Sequence, residues 1–295
     1  MTALPHALKA QAGLALPATL LAFALGAIAI QTLPLPPMPW AGTSIAPQTV
    51  TLPPGQVTYR VEGHFFIDGN PVDAPLADTA IPAPLTMMKY QVTAADYALC
   101  VADGACEAAE PRNPGKGNIP VTGVHFGDAT AYAAWLSDKT GQAWTLPTDA
   151  EWAYAAGSRF TDDALNIDDA SNPALRWLAD YRKEAERQAA ADPTPKPVGS
   201  YGENEYGLAD MGSNVWEWTD TCHRRVHVDI AGKILSEQPA CTIRVLEGKH
   251  RASMSYFIRD AKSGGCSVGL PPDNLGFRLV RRPAWYENFW GRLGF

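Results

Sequence analysis

Along the chain, the longest uninterrupted apolar stretch is residues 12–30 (AGLALPATLLAFALGAIAI), 19 positions without a charge. At about 1.5 Å per helical residue it nearly crosses a hydrocarbon layer of roughly 30 Å. Lys9 precedes it and the next cation is Arg60, so the positive-inside bias predicts an exported body. Ala27-Ile28-Ala29 offers a cleavage site, and residues 1–32 read as either a signal anchor or a signal peptide. Both readings place the body in the periplasm, anchored to the inner membrane through residues 12–30 or released from it. The pattern then changes to Pro34, Pro36, Pro37, Pro39, Pro47, Pro53 and Pro54, which predicts an extended tether over 33–54. A folded domain is expected over 55–282, with its first packed residues between Thr49 and Val57.

Inside that domain, apolar positions recur at helical spacing in short capped stretches. Thr93 and Asp96 open a helix that runs toward Cys100. Asp128 reads as the cap of a second helix, which puts Tyr132, Trp135 and Leu136 on one face and ends at Gly141. Thr148 and Glu151 form a capping box ahead of Trp152 and Ala156. Residues 173–191 read as a charged helix with proline in its first turn. Elsewhere short strand-like runs are broken by Gly, Pro and Asn, so the pattern predicts an α+β domain with much irregular structure. In the tail, 283–295, Trp285, Tyr286, Phe289, Trp290 and Leu293 form an amphipathic stripe that suits the domain's own surface, a partner or a membrane interface.

Composition narrows the function classes. With 24 Lys+Arg against 31 Asp+Glu, the formal charge of −7 excludes the basic footprint of a nucleic-acid binder. Five cysteines in an exported chain predict two disulfides and one remaining thiol. Cys100 and Cys106 flank an Ala-Asp-Gly turn and are the first pairing. Cys222 with Cys241 is the second, although Cys266, the odd one, can replace either partner.

Four strings then carry a resemblance: PVTGVHFGDATAYAAWLSDKTG (120–141), WTLPTDAEWAYAAGSR (144–159), GSYGENEYGLADMGSNVWEWTDTC (199–222) and NLGFRLVRR (274–282). In this order they closely resemble the sulfatase-modifying-factor family of formylglycine-generating enzymes. The resemblance implies a compact variant of the C-type lectin fold. From their own chemistry Trp135, Trp144, Trp152, Trp216 and Trp218 read as core aromatics, and Gly276, Phe277 and Arg278 as the end of the last strand, with the arginine tied to a carboxylate. The resemblance further implies a structural calcium held by Glu217 and by carbonyls around Ser213 and Val215, with Asn214 shaping the loop. The alternative is the same loop closed by side-chain hydrogen bonds without metal.

The resemblance fails at its chemical centre. Oxidase members hold Cu(I) with two cysteine thiolates, soft ligands that activate oxygen there. Counting back from Asn274 puts those positions at His250 and Ser255, with Cys266 off register. Copper or iron chemistry is therefore not expected, and His250, Ser255 and Cys266 remain only as candidates for a rearranged catalytic site. Arg244, Arg251 and Arg259 stay as a groove for a polar or anionic group of an exported protein or peptide partner. His223 and His227 in CHRRVH are a weak metal pair, read as a surface loop, while His64 and His125 read as structural. The strings EGKHR (247–251), FIRDA (257–261), GGC (264–266) and CVADGAC (100–106) resemble a subgroup encoded with copper nitrite reductases. Two functions follow: an accessory or maturation factor without oxidase chemistry, or a non-heme metal-dependent oxidase acting on a peptide side chain.

Overall fold

The computed structural model describes residues 45–111, 115–162, 164–167, 172–189, 194–260 and 274–283. The apolar run 12–30, Cys266 and the tail beyond Pro283 lie outside the described residues. Among the described residues, no helix is long and apolar enough to cross a membrane.

Two sheets and a ribbon organise the domain. β1 (Thr49–Leu52), β6 (Leu85–Met88), β12 (Val280–Arg282) and β7 (Ala143–Thr145) make an antiparallel sheet in that order. The larger sheet runs β10 (Ala252–Ser255), β9 (Ile234–Glu247), β8 (Trp216–Val228), β3 (His64–Ile67) and β4 (Asn70–Val72), and β11 (Leu275–Gly276) pairs with β8. β3 and β11 both lie parallel to β8, while β9 is antiparallel to it. β2 (Gly55–Arg60) and β5 (Leu76–Ile81) form a separate ribbon. The first packed strand, Thr49–Leu52, therefore lies at the start of the window expected for the first packed residues and inside the stretch read as tether. In β1 the side chains alternate, Leu52 is fully buried, and Pro53 and Pro54 only end the strand. Alternation outweighs the flanking prolines that suggested a tether. Gly276, Phe277 and Arg278 lie across β11 and the segment before β12, so they do not end the last strand.

The helices start where their caps predict. α1 (Ala94–Ala102) opens with a Thr93–Asp96 capping box and α3 (Asp149–Ala156) with a Thr148–Glu151 box. α2 (Phe126–Thr140) differs from expectation: its N-cap is His125, whose Nδ1 accepts from the Asp128 N–H at 2.8 Å. Asp128 is the third helical residue and returns the bond to the His125 N–H. Gly141 ends this helix in the left-handed conformation, at φ 67°. α4 (Pro173–Ala189) is the charged helix. The pairings Cys100–Cys106 and Cys222–Cys241 are both formed.

All five predicted tryptophans are buried. Trp135, Trp144, Trp216 and Trp218 sit with Tyr132 and Phe277 in one apolar cluster, and Trp152 sits with Leu52, Met87 and Val280 in a second. Between the clusters lies an ion pair. Arg278, 0% exposed, donates from Nε and Nη2 to the two oxygens of Glu217, 1% exposed, at 2.7 and 2.8 Å. Its other bonds reach the carbonyls of Ala209 at 2.9 Å and Lys89 at 3.1 Å. Glu217 also accepts from Gln91 Nε2 and Trp152 Nε1, both at 2.9 Å. β6, α3, β8 and the 209 loop thus meet at one fully bonded pair. Breaking a buried pair from one side typically costs about 3–5 kcal/mol, because the other charge is stranded. Arg278→Met should lose that much in denaturant unfolding, and Glu217→Leu/Arg278→Met together should lose less than the single change. A loss under ~1 kcal/mol for Arg278→Met would show that the pair does not hold the fold.

Candidate functional site

The residues expected to line a groove are not assembled into one. His250 is buried in the turn after β9, its ring edge-on to Trp216 at 5.1 Å and its carbonyl accepting from Trp216 Nε1 at 3.0 Å. Ser255 ends β10 opposite Ile243. Roughly 10 Å of strand separates it from the start of β10, so the two candidates do not meet. Each arginine faces carboxylates instead of an open cleft. Arg244 binds Asp220 through Nη1 at 3.0 Å and lies 4.2 Å over the Phe126 ring. Arg251 donates to Asp149 at 3.0 Å, to Glu247 at 2.8 Å and to the Arg60 carbonyl at 2.8 Å. Arg259 donates to both oxygens of Asp128 and to Glu107 and Glu110. The three half-buried guanidinium groups thus each have carboxylate partners within the chain, while Arg244 Nε is buried without a hydrogen-bond partner.

Around Arg251 the structure gathers acids that the sequence did not single out. Asp149 and Glu247 are both about 1% exposed. Burial, with Asp149 adding to it, pushes the Glu247 carboxyl well above the usual range, and Arg251 opposes the shift. Thr148 and Glu151 marked this helix start, but nothing local revealed that Asp149 points inward toward β9.

The calcium ligand set was tested against its own side chains. Both Glu217 oxygens already receive two donors each, a guanidinium included. Asn214, at φ 65°, closes its loop on residue 196: Oδ1 accepts from the Lys196 N–H at 2.9 Å and Nδ2 donates to the Lys196 carbonyl at 3.0 Å. The Ser213 carbonyl accepts from the Val215 N–H. A carboxylate saturated by cationic and neutral donors does not fit a calcium ligand. The geometry fits a loop closed by side-chain hydrogen bonds.

The segment CHRRVH is strand, not surface loop, because it continues β8. His223 and His227 share a face but stand roughly 13 Å apart along it, too far for one ion. His227 stacks on Phe66 at 5.3 Å. His223 meets His64 instead, ring to ring at 4.5 Å and 76°, because β3 lies parallel beside β8. Ser253 Oγ lies 3.3 Å from His223 Nδ1. Burial first, then His64 and Arg225, push the His223 pKa down to about 4. His64 is lowered as well, by desolvation and by Arg225. His64 had read as structural, and only the long-range strand pairing reveals its neighbour.

Residues 38–283 match the family described as Sulfatase-modifying factor enzyme 1-like domain. The chain belongs to this family. Among curated relatives, a formylglycine-generating enzyme of Mycobacterium tuberculosis is 37% identical over 56% of this chain and 58% of its own. One of Streptomyces coelicolor is 35% identical over 59% of this chain and 56% of its own. A Bos taurus protein named Inactive C-alpha-formylglycine-generating enzyme 2 is 28% identical over 58% and 54%. The chain thus spans a little over half the length of these relatives. The structure of PvdO from Pseudomonas aeruginosa aligns with a TM-score of 0.54 at 23% identity, covering 82% of this chain and 96% of that one. That likeness concerns the fold: mixed α+β, with curled sheets and few helices.

Within this sulfatase-modifying-factor member, the depressed His223 pKa has a measurable sign. An unfolded imidazole takes a proton near pH 6.5, whereas the folded one resists until about pH 4. Its contribution is therefore complete above about 6.5 and is lost as pH falls toward 4. Unfolding curves across that window should fall less steeply for His223→Gln than for the parent. Parallel slopes would contradict the assignment.

Proposed function

We propose that this family member is an accessory or maturation factor without cysteine–copper oxidase chemistry, exported and membrane-tethered, and acting on a periplasmic partner such as a copper nitrite reductase. The observation that carries the first half is the fate of the two reactive positions. They hold His250 and Ser255; the first is buried beneath Trp216 and the second lies elsewhere on β10. An oxidase with a rearranged site needs those groups to converge. The curated relative named inactive is consistent with a member of this family that lacks the activity. Export rests on the apolar run at 12–30 and its preceding lysine. The reductase partner rests on the strings around 247–266 and on CVADGAC.

A binding role needs a surface, and α4 offers one. Leu175, Trp177, Leu178 and Tyr181 are exposed on it, with Trp177 and Tyr181 stacked at 5.9 Å. Polar contacts hold the other side of the helix to the domain: Arg176 binds Asp73 at 2.8 Å, and Lys183 reaches the Ala164 carbonyl at 3.2 Å. Exposed aromatics on a pinned helix suit a protein partner.

Two measurements test this function. Full-length protein supplied with Cu(I), oxygen and a cysteine peptide should show no oxygen uptake beyond that of free copper. Sustained uptake with modification of the peptide would overturn the reading. Trp177→Asp/Tyr181→Asp should weaken binding to a copper nitrite reductase about tenfold, a typical cost for losing an aromatic anchor. Unchanged affinity would remove α4 from the interface.

A further inference from the structure

We propose that His64 and His223 chelate one borderline transition-metal ion, of the Zn²⁺, Cu²⁺ or Ni²⁺ class, at the seam between β3 and β8. The site is separate from the His250 and Ser255 positions and does not depend on the function proposed above. Its first support is spacing. Imidazole nitrogens bind such ions at about 2.0–2.1 Å, which places two rings on one ion with centres roughly 4.5–5 Å apart at right-angled to tetrahedral geometry. The two rings stand 4.5 Å apart with their planes at 76°. That separation matches the span two imidazoles take on one ion, and the parallel register that sets it is fixed by three consecutive residue pairs, His64 with Arg225, Phe65 with Val226 and Phe66 with His227.

The second support is the hydroxyl behind His223. Ser253 Oγ, on β10, lies 3.3 Å from Nδ1. When the imidazole donates its Nδ1–H to this hydroxyl, the other nitrogen, Nε2, is left as the donor to metal. Sheet order alone brings Ser253 there, across β9, and no sequence motif joins these three residues.

The surroundings define the class of ion. Among the described residues no group of three His, Cys, Asp or Glu assembles around a common point, so the described residues supply two ligands. Imidazole without carboxylate favours zinc, copper or nickel over calcium or magnesium. His227 is engaged with Phe66, so the remaining coordination positions fall to water or to a donor atom of a bound molecule. Arg225 lies over Phe66 at 4.4 Å and is the neighbouring cation. Its charge opposes a divalent ion and limits affinity.

Metal-stripped full-length protein titrated by calorimetry with Zn²⁺, Cu²⁺ and Ni²⁺ salts in turn should bind one saturable equivalent of at least one of them. His64→Gln and His223→Gln should each weaken that binding at least tenfold, and Ser253→Ala about tenfold, the usual effect of an outer-shell partner. Arg225→Gln should tighten it several-fold, and His227→Gln should leave it unchanged. Melting curves of each variant separate lost ligands from lost folding. In the unmodified protein, line broadening by Ni²⁺ should be confined to the His64 and His223 imidazoles. Absence of a saturable equivalent for all three ions would overturn the proposal. So would binding that survives both histidine substitutions, or broadening centred on another histidine.

Discussion

A single buried ion pair, Arg278 with Glu217, sets the terms for the rest of the domain. Two charges removed from water lose several kcal/mol of solvation each, and mutual attraction offsets this only when every remaining donor and acceptor is satisfied. Here that condition is met. Four donors point at Glu217 and three backbone carbonyls receive Arg278. These partners come from β6, the segment after it, α3 and the 209 loop, so satisfying the pair brings both apolar clusters into register. The same saturation decides a functional matter. A carboxylate committed to a guanidinium and two N–H donors has no lone pair left for a hard cation.

That rule repeats at the periphery and closes the expected groove. Arg251 is held by Asp149 and Glu247, Arg259 by Asp128 and two surface glutamates, Arg244 by Asp220. Each guanidinium ties one connection to a different helix or strand, which rigidifies a fold with long irregular stretches. The exposed aromatic face of α4 and the imidazole pair between β3 and β8 lie outside these three ion-pair clusters.

What the sequence revealed follows the range of the forces involved. Helix starts were legible because a capping box is a local arrangement of three or four residues, and the tryptophans were legible because large aromatics must be buried. That Arg278 would be tied to a carboxylate was legible because a buried guanidinium needs a charged partner, although which carboxylate was not. Three features were hidden. β1 lay behind prolines that, read locally, mark a tether, yet its alternating side chains find a partner in β6. CHRRVH looked like a loop because two arginines separate its histidines next to a disulfide cysteine, whereas its pairing with β9 and β3 makes it strand. The His64–His223 contact joins residues distant in sequence through parallel pairing, which leaves no local signature. The 12–30 segment, Cys266 and the aromatic tail stand as sequence expectations outside the described residues.

The central claim is that Glu217 serves Arg278 and not a metal. Its most direct test is the melting temperature of the full-length protein in excess calcium and in chelator. A native-state ligand at ~1,000 times its dissociation constant stabilises by about 4 kcal/mol, which shifts a domain of this size by several degrees. The account predicts superimposable transitions in the two conditions. A calcium-dependent rise of several degrees would contradict it.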